Sequence, residues 1–374
     1  MISFEDKTYG PRFMREFQCI ADRCRHSCCI GWEIDVDEVS LERYRNVQGP
    51  LGEKLKQCIS EEFHSAHFIL GENERCPFLN EKNLCELILG LGEDSLCDIC
   101  REHPRFRNFY TDREEVGLGL CCEEAGRILL TQRAPIEIVD LTENSEHVGT
   151  PEDTASQPDE SITDETLHPD GYLASYENSD GYLTTAEKVF LSQRSQIFSL
   201  LQDRTRNLEM RVHDILEFCG SVPLRFDPVK WGHFLRSLER LDPSWDEEIS
   251  LLENAQNIDT SAFYAFMQKQ GREVEYENLL WYFLYRHLSG AIEADGADEQ
   301  TPDEEDLRTR VLFAMTSTKI IGYLGACHFA ANNDFTLDDQ IELARMYSSE
   351  IEYSDENVEK FLEYLSELGL YPSA

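Results

Sequence analysis

Eleven of the thirteen cysteines in this chain lie between Cys19 and Cys122, and their spacing suits a metal better than a disulfide. They open as a knot, Cys19-x4-Cys24-x3-Cys28-Cys29. Cys58 then stands alone, followed by Cys76 at the head of C-P-F-L, Cys85, the pair Cys97-x2-Cys100 and the doublet Cys121-Cys122. Thiolates two to four residues apart can address one ion or cluster without straining the backbone. The count is odd. No N-terminal stretch combines a basic start, an apolar run and a small-residue cleavage site, and no apolar run approaches the ~20 residues of a membrane span. The chain is therefore expected to be cytoplasmic, where thiols stay reduced and clustered cysteines signal metal or redox chemistry.

Spacing leaves the metal open. Four-cysteine zinc sites usually come as two C-x2-4-C knuckles. This chain has one clear C-x2-C and two adjacent pairs, an irregularity that iron–sulfur clusters tolerate.

The run Phe17 to Trp32, F-Q-C-I-A-D-R-C-R-H-S-C-C-I-G-W, resembles the opening motif of the flagellin lysine-N-methylases, the FliB family, within a wider Cys-rich group of iron- or zinc-chelating proteins. The likeness continues in C-P-F-L-N-E-K-N-L-C from Cys76 to Cys85, C-R-E-H-P-R-F from Cys100 to Phe106, and L-C-C-E-E-A-G-R ending at Arg127. It covers about the first 130 residues. Carried over position by position, the motif marks eight metal ligands: Cys19, Cys24, Cys28, Cys29, Cys76, Cys85, Cys100 and Cys122. Cys97 and Cys121 are extras beside it, expected as bystanders or substitutes. The resemblance implies methyl transfer from S-adenosylmethionine to flagellin lysines, by an enzyme carrying an iron–sulfur cluster of the [4Fe-4S] kind, with zinc as the alternative metal.

The residues themselves show no donor site. No strand runs into a G-x-G-x-x-G turn that opens a helix, which disfavours a Rossmann-type methyltransferase. The C-x3-C-x2-C spacing of radical S-adenosylmethionine enzymes is also missing: Cys24 and Cys28 give the first interval, but Cys29 follows at once. The basic group Arg101, His103, Arg105 and Arg107 follows Cys100 directly. Arg101 and Arg105 are the candidates to hold the donor's carboxylate in bidentate fashion, the alternative being salt bridges to nearby acids. Tyr110, His103 and Asp98 lie near the cysteines, yet no spacing rule selects a base for the acceptor amine, and the catalytic residue stays open.

Charge organises the rest. Of a net −39, only −8 falls in residues 1–133 and −31 beyond. Such acidity argues against nucleic acid as partner, since phosphate binding needs a basic footprint. From Ala134 to Glu187 there is no Lys or Arg, and D-G-Y-L occurs at Asp170 and again at Asp180. Low hydrophobicity with unbalanced charge predicts a flexible acidic linker over 140–184. Helix-spaced apolar residues follow at Val189 to Leu201 and Val212 to Cys219. Leu279 to Leu288 is an aromatic-rich packed helix, and a second acidic break runs from Glu293 to Asp306. A last helix should start at Ser354 and stop at Gly369.

The expected architecture is mainly α, with α+β as the alternative. It has an irregular Cys-rich, metal-bound module over 1–139, the linker, and a helical domain over 185–374. The expected function is flagellin lysine methylation, with no membrane partner. The competing reading is a non-catalytic metal-binding or redox-sensing module joined to a helical interaction domain.

Overall fold

The computed structural model describes residues 7–26, 28–31, 34–61, 65–142, 182–255 and 258–368. The fold is mainly α, with two small sheets. Among the described residues no helix is long and apolar enough to cross a membrane. Contacts divide the chain into two compact units. One comprises Met1–Cys19, Pro104–Val139 and Gly181–Ala374, and the other Ile20–His103 and Asp140–Asp180.

The larger unit is built around the 29-residue helix Glu304–Asn332. Asp303 caps its start, accepting from the backbone N–H of Glu305 and Asp306 at 2.8 and 3.1 Å. Asn333 ends it in the left-handed region at φ +53°, as a C-terminal cap requires. Buried residues occupy nearly every face from Leu307 to Cys327, the mark of a helix surrounded by others rather than lying on a surface. The helices Val274–His287, Thr260–Lys269, Leu337–Tyr347 and Asp355–Glu367 pack on it. As expected, Ser354 caps the last of these; the stop expected at Gly369 lies outside the described residues.

This unit also holds a four-stranded sheet. The hairpin Arg105–Tyr110 and Arg113–Leu118 is antiparallel, and Lys7–Pro11 pairs in parallel with its second strand, Lys7 opposite Arg113. Ile138–Asp140 completes the order. The sequence reading placed residues up to 139 in the Cys-rich module; the contacts join Pro104–Val139 to the helices instead. Tyr110, Leu118, Ile128 and Leu130 share one core with Phe190, Trp281 and Ile341. A buried ion pair ties hairpin to helix: Arg194 donates to both carboxylate oxygens of Glu115 at 2.6 and 2.7 Å and to the Tyr110 hydroxyl at 3.1 Å. Of the acidic tract at 140–184, residues 143–181 lie outside the described residues.

The smaller unit has a modest core of Ile34, Val36, Tyr44, Leu55, Phe68, Phe78, Leu79, Leu87 and Leu96, completed by Cys76 and Cys97. Asp37 caps the helix Glu38–Arg45 by accepting from Ser40, and its second oxygen accepts from the backbone of Asp98 at 2.9 Å. That bond fixes the start of the segment carrying Cys97 and Cys100.

The long helix makes a testable claim about packing. A Cβ on Gly325 would lie 2.9 Å from the Phe263 ring, with Phe335 and Tyr276 at 3.2 and 3.3 Å. Gly325→Ala should therefore cost about 1–3 kcal/mol, as overpacked cores do, despite alanine's better helix propensity. Urea unfolding measures it, and a variant as stable as the parent would contradict this packing.

Candidate functional site

Five thiols of the smaller unit come together at its core: Cys29, Cys76, Cys85, Cys97 and Cys100. Three local devices place them. The backbone N–H of Cys76 donates to the Cys29 carbonyl at 2.8 Å, beside the antiparallel bridge Ile30–Arg75. A tight turn then returns the chain: Asn80 accepts on its side chain from Lys82 and Leu84, with Asn83 at φ +56°. The bridge Leu79–Cys85 follows, bringing Cys85 back beside Cys76. Last, Cys97 opens the short helix Asp98–Glu102, whose turn places Cys100 against it.

Backbone N–H groups point at the sulfurs. Phe78 donates to Cys76, Leu87 and Ile88 to Cys85, and Cys100 to Cys97. Such bonds favour the thiolate. Burial opposes it, pushing Cys76 up to about 12 and raising Cys85. Cys97 and Cys100 share a hydrogen bond that lowers the first and raises the second. The donors favour the charged form while burial and mutual repulsion forbid several anions together, so the set suits a cation. Among the described residues, the only His/Cys/Asp/Glu group with donor atoms all within 4.8 Å of one another is His213, Asp214 and Glu217. No three of the five sulfurs meet that distance.

The other expected ligands lie outside this buried set. Cys24 and Cys28 belong to the same unit, where Cys24 Sγ donates to the His26 carbonyl at 2.9 Å and Cys28 is exposed. Cys19 and Cys122 belong to the larger unit. Cys97, expected as a bystander or a substitute, is fully buried among the five. Arg101 pairs with Asp98, one turn earlier on its own helix. Arg105 lies over the Phe17 ring at 5.4 Å, and Arg107 pairs with Glu114 at 2.5 Å. Strand geometry thus divides a group that looked continuous in sequence. Burial pushes His103 down to about 4, keeping it neutral.

In the larger unit, a buried polar network surrounds the doublet Cys121-Cys122. Glu352 ends a π-helical turn, Ser348–Glu352, the kind of irregularity common at functional sites. Its carboxylate accepts from the Tyr282 hydroxyl at 2.9 Å and lies 2.7 Å from His287 Nε2 and 3.4 Å from Arg286 Nε. Burial would raise its pKa, but Arg286 and His287 outweigh that and lower it. Arg286 is held between two rings, Phe106 at 5.0 Å and Tyr353 at 5.1 Å, and donates to the Tyr282 hydroxyl at 2.9 Å. Tyr282 in turn accepts from the Leu120 backbone, and the Tyr353 hydroxyl bonds the Cys121 thiol. A Cβ on Gly119 would stand 2.5 Å from the Tyr353 hydroxyl, so only glycine admits this approach. Sequence reasoning missed Arg286, Glu352 and Tyr353. The one available signal was ionisable residues placed within apolar runs.

Residues 224–372, which hold Tyr282, Arg286, His287, Glu352 and Tyr353, match the FliB lysine N-methylase C-terminal domain. Over that stretch the chain is similar to the FliB family. It is 30% identical over 128 residues to proteins named lysine-N-methylase in Salmonella typhimurium strain LT2 and in Salmonella choleraesuis, a match covering 32% of this chain and 31% of theirs. It is 29% identical over 128 residues to the flagellar biosynthetic protein FliU of Salmonella muenchen, covering 75% of that protein. The match thus spans under a third of the length of these lysine-N-methylases. No solved structure matches.

The network gives a pH dependence with a defined sign. Burial lowers the His287 pKa, although Glu352 partly opposes it. The folded chain resists a proton that the unfolded chain takes up near pH 6.5. Stability held above that value should fall on acidification, and the depressed Glu352 should add a further loss below about pH 4.5. His287→Gln keeps a donor for Glu352 and removes the titration. It should flatten the stability slope between pH 6.5 and 5 by up to about 1.4 kcal/mol per pH unit. Denaturant melts at a series of pH values provide the measurement, and an unchanged slope would refute the assignment.

Proposed function

We propose that this chain is an S-adenosylmethionine-dependent protein-lysine N-methyltransferase acting on flagellin, with an iron–sulfur cluster bound by cysteines of its smaller unit. The carrying observation is the set of five core thiols with backbone donors aimed at their sulfurs. The match to the lysine N-methylase C-terminal domain supports the transfer reaction, and the flagellar name of the Salmonella muenchen relative supports the substrate.

The donor set fits a metal group. Several thiolates in one apolar core repel one another unless a cation compensates them. Zinc at about 2.3 Å from each sulfur would draw four of them to roughly 3.8 Å of one another. The wider spread favours a larger body such as a [4Fe-4S] cluster, whose four thiolates would come from among Cys29, Cys76, Cys85, Cys97 and Cys100. When bound, such a cluster supplies redox or structural chemistry. Cys97 thereby joins the ligand set implied by the resemblance.

On the acceptor side, the lysine amine must shed its proton and be held in line with the methyl–sulfur bond. Desolvation and a neighbouring cation both favour the neutral amine. In the larger unit, the Arg286 guanidinium stands beside Tyr353 and the cysteine doublet, an environment of that kind.

Anaerobic purification with iron, sulfide and zinc analysis tests the metal, and mass spectrometry of flagellin incubated with S-adenosylmethionine tests the reaction. Cys76→Ser and Cys97→Ser should each bleach the absorbance near ~400 nm and destabilise the protein, because metal binding is also folding energy. Cys58→Ser should retain both. Stoichiometric zinc without iron would overturn the cluster, and unmodified flagellin the activity.

A further inference from the structure

We propose that a cavity in the larger unit, between helices Pro228–Ser237 and Asp355–Glu367, binds the methyl donor S-adenosylmethionine; this rests on the methylase reading above. The cavity, partly open to solvent, measures about 310 Å³, with Leu224, Trp231, Tyr364 and Leu368 as its apolar lining and Arg225, Asp227 and Lys230 as its polar one. That volume and that mixture, mostly apolar with a few charged groups, are those of small-molecule sites.

Two observations point to a ligand. The first is a preformed aromatic wall. The Trp231 indole is stacked between Phe361 at 5.3 Å and Phe226 at 6.3 Å. The Tyr364 ring stacks on Phe234 at 4.4 Å and meets Trp231 edge to face at 5.5 Å. Rings that pin one another leave little ordering to be done when a ligand arrives.

The second is electrostatic. The chain carries 73 acidic residues against 34 lysines and arginines, and most of those cations pair with a carboxylate, although Lys7, Lys82, Lys188 and Lys269 have no such pair among the described residues. The side chains of Arg225 and Lys230 likewise have no ion-pair or hydrogen-bond partner among the described residues, and what sets them apart is their common location. Both line the same cavity. Asp227 is the one carboxylate beside them, and its Oδ1 caps the helix by accepting from Val229 and Lys230 at 3.2 and 3.3 Å.

An adenosine with an amino-acid end matches this set. Its base suits the apolar wall. Its carboxylate suits the two unpaired cations through charge-assisted hydrogen bonds. Its ammonium and sulfonium suit Asp227 and the aromatic rings. Every lining residue falls within the stretch that matches the lysine N-methylase C-terminal domain, and the chain has no glycine-rich nucleotide loop to serve instead.

Calorimetry on the full chain tests this, comparing the wild type with the double variant Arg225→Ala/Lys230→Ala. Both side chains are exposed, so circular dichroism and metal content should be unchanged. The double variant should bind S-adenosylmethionine at least about tenfold more weakly, the scale of a lost charge-assisted contact. It should bind the decarboxylated analogue as well as the wild type does. Equal affinity for S-adenosylmethionine in both proteins, or equal loss for both ligands, would overturn the cavity assignment while leaving the methylase reading intact. A wild-type chain that binds no S-adenosylmethionine would overturn both.

Discussion

Like charges cannot share a low-dielectric space without a counter-charge, and the smaller unit is organised around that constraint. Its apolar core is thin, nine side chains and two cysteines, and small domains rarely hold together on such a core without a staple. The chain commits its turns to aligning sulfurs instead. The Asn80 turn, the Asp37 carboxylate and the short helix at Cys97 each fix one segment of thiols. Metal–sulfur bonds would complete what apolar burial leaves undone.

The larger unit solves the opposite problem. Its core is extensive, and most of its buried charges are paired, among them Arg194 with Glu115, Arg204 and Arg211 with Glu277, and Arg286 with Glu352. Such pairs add little net stability compared with apolar replacements, but they penalise any arrangement that leaves one partner alone. Around Glu352 that penalty fixes Arg286 between two rings and holds the backbone at Leu120 through Tyr282. The cysteine doublet is thereby set by residues more than 150 positions away in sequence.

Helices were legible where local signals agree. Thr184 and Glu187 form a capping box at the head of Thr185–Leu201, and Ser354 caps Asp355–Glu367. The hairpin Arg105–Leu118 was not. Its strands carry arginines and glutamates in place of clean apolar alternation, so a strand reads as a basic cluster. The grouping of cysteines was half legible: spacing announces thiolates that share a site, and the resemblance marks most of them. Cys97 joins the five through the Asp37 bond to Asp98, sixty-one residues apart. The polar network was hidden because Tyr282 and Arg286 lie in an aromatic helix whose pattern describes packing and hides what its polar tips reach.

Residues 20–103 interrupt the larger unit rather than precede it. The strand Lys7–Pro11 leaves the ribosome early, yet its partner Arg113–Leu118 is made only about a hundred residues later. During synthesis the first strand is an unpaired edge, while the cysteine-rich segment is already complete. Loading of the proposed metal would therefore precede the helical unit, whose core needs chain as far as Leu365. If the unit holds the proposed metal, a shortage of it would leave an unfolded insert between two halves of one sheet, and the chain would fail to assemble instead of folding metal-free.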